Sequence, residues 1–135
     1  MSGGRPRPCV HHIALGASDP IRLAAFYREV FGLRELARHL KPDGSVRSVW
    51  LDLGGPILMI ELTREPPRHV TGVGAGMFLL ALALPRGAWP AFEQALLSAG
   101  VAVESGTEHT RYFRDPEGNR VAVSCYPSSL REDST

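Results

Sequence analysis

Two side chains, His12 and Glu61, have the chemistry to hold a divalent metal, and both lie in stretches that alternate like β-strands. In the stretch 9–16, His12 falls on the parity opposite to the apolar residues Ile13 and Leu15. In the stretch 56–62, Glu61 falls on the parity opposite to Leu58, Ile60 and Leu62. Successive side chains of a strand point to opposite faces, so the imidazole and the carboxylate are predicted to face one shared cleft. The pair suits Ni, Zn, Mn or Fe as a metal, and Glu61 is alternatively a candidate catalytic general base. Two protein ligands make an incomplete site, because catalytic zinc sites use three.

The same parity argument places further side chains in that cleft. An aromatic wall from Trp50 would allow a planar ligand to stack, and apolar walls with few polar groups are typical of a small-molecule pocket. His109 is retained as an additional candidate, because the parity of its strand cannot be fixed. The predicted ligand-binding residues are Trp50, Met59, Leu79, His109, Arg120, Ala122 and Ser124.

Elements that would position these residues occur twice, each time in the order strand, helix, three strands. Asp19 and Pro20 predict the start of the first helix, and Gly32 predicts its end. The second helical face runs over 88–99 and ends at Gly100. The stretch 77–84 is apolar on both parities, which predicts a central, buried strand. The other predicted strands cover 34–40, 46–53, 101–105, 108–114 and 119–126.

The domain organisation follows from this repeat. We predict a mobile N-terminal tail at 1–8, a single domain at 9–127 and a mobile C-terminal tail at 128–135. Within the domain, module one covers about 9–63, a linker rich in Gly and Pro covers about 64–75, and module two covers about 76–127.

Bulk composition argues against several classes of partner. Hydrophobic residues make up 44% and charged residues 21%, as in ordinary globular proteins. The net charge of +1 gives no reason to expect nucleic acid or an anionic membrane as partner. No apolar run is long enough to span a bilayer, and the N-terminal residues lack the apolar segment of a secretion signal, so a cytoplasmic location is expected.

Several stretches in this order and spacing resemble the vicinal oxygen chelate superfamily, which includes glyoxalase I, extradiol dioxygenases, and fosfomycin and bleomycin resistance proteins. They are His11-His12-Ile13-Ala14-Leu15, Ser18-Asp19-Pro20 with Phe26-Tyr27, Ile60-Glu61-Leu62, and the run from Tyr112 to Asn119. The resemblance implies an α+β fold of two βαβββ modules that form an open, curled mixed β-sheet, an incomplete barrel, with the helices outside.

The resemblance also implies a metal held by one residue from each of four strands. His12 matches the first ligand position and Glu61 the second, whereas the third and fourth positions hold Leu79 and Ala122, which cannot bind a metal. Small members of the superfamily usually associate as homodimers, whose clefts are formed within one chain or between two.

Three functions remain open. The first is a glyoxalase- or bleomycin-resistance-like protein that binds a small organic ligand without the full four-ligand metal site. The second is a metal-dependent lyase, epimerase or dioxygenase that uses His12 and Glu61 with an incomplete ligand set. The third is a metal-free enzyme in which Glu61 moves a proton next to a carbonyl while Arg120 steadies an anionic oxygen.

Overall fold

The computed structural model describes residues 4–127 and contains two βαβββ modules. The first comprises β1 (His12–Ala17), α1 (Pro20–Phe31), β2 (Glu35–Leu40), β3 (Val46–Asp52) and β4 (Ile57–Leu62). The second comprises β5 (Leu80–Ala83), one turn of 3₁₀ helix (Arg86–Ala88), α2 (Trp89–Ser98), β6 (Ser105–Gly106), β7 (Thr110–Arg114) and β8 (Arg120–Ser124).

The helix boundaries follow from the residues that predicted them. The carboxylate of Asp19 accepts a hydrogen bond from the backbone N–H of Arg22, and Pro20 occupies the first helical position of α1. Gly32 ends the helix in the left-handed conformation, with φ of 66°, and its N–H donates to the carbonyl of Arg28. Gly100, the second residue after α2, also has a positive φ, of 80°. Both predicted helix ends are therefore confirmed.

Each module has its own four-stranded mixed sheet, and neither sheet is closed. The strand order is β1-β4-β3-β2 in the first and β5-β8-β7-β6 in the second. The first and last strands of each module, β1 with β4 and β5 with β8, pair in parallel, and the remaining pairs are antiparallel. The predicted α+β architecture of two βαβββ modules with an open sheet is confirmed.

The two modules share one core, which lies on the helix side of both sheets. Leu58 and Ile60 of the first sheet and Val121 and Val123 of the second belong to the same buried cluster. Between the sheets the two helices meet through the stacked rings of Phe31 and Phe92. The ring of Phe113 in β7 lies beside Phe26, Phe31 and Phe92. Each sheet therefore turns its other face away from the shared core, and we call these surfaces the first and second open faces.

The turn at Asp115-Pro116-Glu117-Gly118, closed by a bond from the N–H of Gly118 to the carbonyl of Asp115, connects β7 to β8 and also joins the modules. The buried carboxylate of Asp115 accepts a hydrogen bond of 2.7 Å from the hydroxyl of Tyr27 in α1. Burial raises the pKa of Asp115, partly offset by the hydrogen bonds it accepts, and burial beside Asp115 raises the pKa of Tyr27. The carboxylate of Glu117 accepts bonds from the N–H and hydroxyl of Ser18, at 2.7 and 2.9 to 3.0 Å. Two carboxylates of module two thus bind module one, Glu117 at the start of α1 and Asp115 in its second half.

The stretch 77–84 was predicted as a central, buried strand, and this is wrong. Its strand is only Leu80–Ala83, at the edge of the second sheet, with Ala81 and Ala83 exposed. The strand has a hydrogen-bonded neighbour on one side only, and alternate side chains turn away from the core, where alanines expose little apolar surface. Of the predicted tails, 128–135 lies outside the described residues, and residues 4–8 are exposed without helix or strand. No helix among residues 4–127 is long and apolar enough to cross a membrane.

Candidate functional site

The first open face consists of three rows of side chains that run across the strands. Backbone pairing sets these rows, because paired residues point to the same side of a sheet. The upper row is Gly16, Glu61, Ser48 and His39; the middle row is Ala14, Met59, Trp50 and Ala37; the lower row begins with His12, Ile57 and Asp52.

His12 and Glu61 lie on the same face, as strand alternation predicts, but in different rows. His12 pairs with Ile57 and Glu61 pairs with Gly16, so four register positions separate them, about 13 Å along the strands at ~3.3 Å per residue. His12 is exposed, and its Nδ1 lies 3.0 Å from Nδ1 of His11. Within one chain, the imidazole and the carboxylate occupy opposite ends of the first open face.

The donor set of the chain does not fit a complete metal site. Among the described residues, no three His, Cys, Asp or Glu side chains come together in a group that could hold a metal ion. Leu79 and Ala122 supply only apolar groups at the remaining two positions. Any metal at His12 or Glu61 would need ligands from outside this set.

The upper row is more polar than the sequence suggested. Ser48 is 1% exposed, and its Oγ lies 3.1 Å from Nδ1 of His39. The His39 ring meets the Trp50 ring edge to face, with centroids 4.6 Å apart. His39 lies next to the turn at 41–44, and it is half-buried. His39 and Ser48 lie nine residues apart on either side of that turn, a spacing that favours their pairing across the hairpin of β2 and β3.

Two polar atoms of the first open face are shielded from solvent and unpartnered. Neither Oε2 of Glu61 nor Nε1 of Trp50 has a hydrogen-bond partner among residues 4–127. A shielded polar group without a partner costs about 1–3 kcal/mol relative to a satisfied one. A ligand or an ordered water molecule is the kind of partner that such an atom requires.

The second open face centres on Arg120. Its guanidinium lies between the rings of Phe78 and Tyr112, 4.9 and 4.6 Å from their centroids, and its Nε is shielded without a partner among the described residues. Arg114 is paired directly opposite, and the carboxylate of Glu104 lies 2.9 Å from its Nε. The positive charge of Arg120 has no such carboxylate in the part of the chain that the structure describes.

The other predicted ligand-binding residues are distributed over both faces. Ala122 is fully buried between Ala81 and Tyr112 in the pairing register, and Oγ of Ser124 lies 2.9 Å from the Thr110 hydroxyl. Leu79 precedes β5, and Met59 lies in the middle row beside Trp50.

His109 lies outside β7, just before its first residue, with its ring 5.0 Å from that of Tyr126. It therefore lies at the end of the second sheet, away from the row of Arg114 and Arg120.

One chain does not bring the two open faces together. A cavity of about 260 Å³ adjoins the first open face at Gly16, where β1 meets the linker and the turn of module two. Gly16, Thr63, Glu65, Pro66, Pro67, Arg68, Glu117 and Asn119 line it, and none of the predicted ligand-binding residues is among them.

Comparison with known proteins identifies the family. The model of the Glyoxalase/Bleomycin resistance protein/Dioxygenase superfamily matches residues 10–123, so the chain belongs to this superfamily. No curated protein matches the sequence significantly.

Solved structures with the same fold span nearly the whole chain. The fosfomycin resistance protein FosX from Listeria monocytogenes, complexed with Mn(II) and a dihydroxypropylphosphonic acid, has a TM-score of 0.74 and 15% identity, over 98% of this chain and 99% of that one. A glyoxalase family protein from Enterococcus faecalis has a TM-score of 0.67 and 23% identity, over 85% and 95%. A lactoylglutathione lyase from Agrobacterium tumefaciens has a TM-score of 0.62 and 23% identity, over 89% and 95%. At these identities the likeness concerns the fold.

Proposed function

We propose that this protein binds a small organic ligand that has a planar apolar body and an anionic group, without a complete metal site of its own. The observation that carries the proposal is the position of the shielded, unpartnered polar atoms Trp50 Nε1, Glu61 Oε2 and Arg120 Nε, all on the open faces. A ligand that bonds to these atoms must displace the side chains that cover them, and in return it removes the penalty of leaving them unsatisfied.

The first open face supplies the platform for the planar body. Trp50 and Met59 lie side by side in the middle row, and the small Ala14 next to Met59 leaves space above β1. Indole rings bury a large area and stack on planar partners. Glu61 adds an acceptor at the edge of this platform.

The second open face supplies the anchor for the anion. Guanidinium groups pair with carboxylate, sulfonate and phosphonate oxygens through two parallel hydrogen bonds. The flanking Phe78 and Tyr112 hold the Arg120 side chain in place, and its charge has no carboxylate partner among the described residues.

A homodimer is part of the proposal, because the two open faces point away from each other in one chain. The strands β1 and β5 lie at sheet edges, and their exposed Ala14, Gly16, Ala81 and Ala83 permit close approach of a second backbone. A second copy would place a second open face over a first one and so enclose the ligand. Sedimentation equilibrium is expected to give twice the mass of the chain; a monomer at micromolar concentration would contradict this arrangement.

Thermal unfolding with naphthalene-β-sulfonate tests ligand binding, because this probe has one planar body and one anion. We expect a concentration-dependent rise in the melting temperature that is lost in Trp50→Ala and reduced in Arg120→Gln. The matched controls are Leu97→Ala and Arg22→Gln, which truncate exposed side chains on the helices. If the probe stabilises the wild type and all four variants equally, it binds at a site that includes neither Trp50 nor Arg120.

A metal-free proton-transfer enzyme is the second candidate, favoured by the unpartnered Oε2 of Glu61. A carboxylate shielded from water beside an aromatic platform is placed to take a proton from a carbon next to a carbonyl. Exchange of such protons for deuterium in an enolisable aryl ketone, absent in Glu61→Gln and present in Glu29→Gln, would support this candidate.

A further inference from the structure

His39 has the position of a ligand-selecting residue that neither its sequence context nor the family resemblance indicated. Three adjacent strands contribute the side chains of the upper row, with Ser48 between Glu61 and His39. His39 uses Nδ1 to bond with the Ser48 hydroxyl, at 3.1 Å. Its Nε2 makes no hydrogen bond to any described residue and, unlike Oε2 of Glu61, is not shielded from solvent.

The direction of the hydrogen bond between His39 and Ser48 decides what Nε2 can do. A neutral imidazole has one N–H donor and one acceptor nitrogen. If the Ser48 hydroxyl donates to Nδ1, then Nε2 carries the proton and acts as a donor. If Nδ1–H donates to Ser48, then Nε2 presents a lone pair.

The neighbouring carboxylate favours the second arrangement. An ionised carboxylate only accepts hydrogen bonds, and Oε2 of Glu61 has no partner among residues 4–127. Glu61 and Ser48 are directly paired across β4 and β3, where side-chain Cβ atoms lie about 4.5–5.5 Å apart. The structure shows no hydrogen bond between the Ser48 hydroxyl and this carboxylate, so the inference requires that both groups rotate into contact. A bond to a charged acceptor is stronger than one to a neutral imidazole, which favours that rotation.

We propose that Glu61 and Ser48 hold His39 in the Nδ1–H tautomer, so that Nε2 accepts a hydrogen bond from a ligand hydroxyl or N–H at the edge of a planar ring. The Trp50 ring is 4.6 Å from the imidazole, so a ring that stacks on Trp50 brings its edge to Nε2. The ligand class is therefore phenol-like. The tautomer stands by itself, and the ligand preference rests on the proposed function.

The tautomer is measured without ligand, by long-range proton–nitrogen NMR of the imidazole rings at about pH 8.5, where an ordinary histidine is neutral. His39→Gln assigns the signals. We expect the Nδ1–H pattern in the wild type and the Nε2–H pattern in Glu61→Met, where Ser48 has no competing acceptor and donates to His39. Ser48→Ala should also lose the Nδ1–H preference, and the exposed His69 serves as the control ring. An Nε2–H tautomer in the wild type, or an unchanged tautomer in a folded Glu61→Met protein, overturns the proposal.

The ligand preference is measured with β-naphthol and β-naphthyl methyl ether, which differ by the hydroxyl proton. We expect the wild type to bind the naphthol about tenfold more tightly, because one additional hydrogen bond is typically worth about 1 kcal/mol or somewhat more. His39→Leu should abolish the difference, whereas His69→Leu should retain it. Equal affinity of both probes for the wild type overturns the inference and leaves the proposed function standing. Binding of neither probe counts against the aromatic platform and therefore against the proposed function itself.

Discussion

The two open faces have the same strand order but opposite kinds of polar group. The first offers acceptors, with a carboxylate, a hydroxyl and an imidazole in one row beside Trp50. The second offers a cation, Arg120, held between two aromatic rings. On the helix sides the modules are alike, since both contribute aliphatic strand residues and aromatic helix residues to one core. The two modules therefore share the kind of residue that forms the core. They differ in the polar groups that their open faces present.

The comparison bears directly on the metal question. Only the first open face carries His12 and Glu61, and there they stand in different rows. The second carries Ala122 and Arg120, and a cation repels a metal ion. Acceptors on the first open face and a cation on the second suit an organic ligand better than a metal ion. Such a ligand would carry a hydrogen-bond donor at one edge and an anion at the other.

Removal of the aromatic platform should have the largest effect. Trp50→Ala should weaken binding of naphthalene-β-sulfonate by about 30-fold or more, because truncation of an aromatic anchor typically costs about 2 kcal/mol or more. Isothermal titration measures the affinity, and Leu97→Ala is the control. If a folded Trp50→Ala protein keeps its affinity, the ligand does not bind on the first open face.

Removal of the cation should distinguish the two faces. Arg120→Gln should weaken binding of naphthalene-β-sulfonate by about tenfold, since bonds to charged groups are worth roughly 1.5–3 kcal/mol. Binding of neutral β-naphthol should not change. A parallel loss for both probes would mean that Arg120 supports the fold and does not recognise the anion.

Stability should reveal how the contacts of Arg120 balance. Arg120→Met should change the free energy of unfolding by less than about 1 kcal/mol, since it removes the shielded, unpartnered Nε but also two cation–π contacts of about 0.5–1 kcal/mol each. Urea denaturation measures this change, and a loss of about 3 kcal/mol or more would show that Arg120 mainly supports the fold.

Metal addition should have the smallest effect. We expect no saturable binding of Ni²⁺, Zn²⁺, Mn²⁺ or Fe²⁺ at micromolar concentration, because two ligands in separate rows hold a metal weakly. Elemental analysis of protein purified without chelators would check this expectation. Stoichiometric metal that is lost in both His12→Ala and Glu61→Ala would favour the metal-dependent enzyme.

Much of the fold could be predicted because its signals are local. Asp19-Pro20 and Gly32 determine the limits of α1 through hydrogen bonds and backbone conformation within a few residues. Strand alternation likewise placed Trp50, Met59 and Glu61 on one face, because side-chain direction alternates along any strand. The position of 77–84 at an edge could not be predicted, since the number of neighbouring strands depends on the whole sheet.

The distances between residues of the candidate site depend on the register in which the strands pair. Alternation of side chains along one strand does not determine that register. Parity put His12 and Glu61 on one face, but only the pairing of β1 with β4 shows that four positions separate them. The link between His39 and Ser48 was missed for the same reason, although both flank one short turn. The neighbours of Arg120 come from β7 and from the segment before β5, which no local pattern joins.

Proton–nitrogen NMR during titration with naphthalene-β-sulfonate tests the central claim most directly. The side-chain N–H groups of Trp50 and Arg120 give separate signals, and the indole N–H of Trp89, which donates to the Leu84 carbonyl at 3.1 Å, is an internal control in the core. Binding on the open faces should shift the Trp50 and Arg120 signals together and leave Trp89 unchanged. A shift of Trp89 alone, or saturation of binding with Trp50 and Arg120 unmoved, would contradict the account.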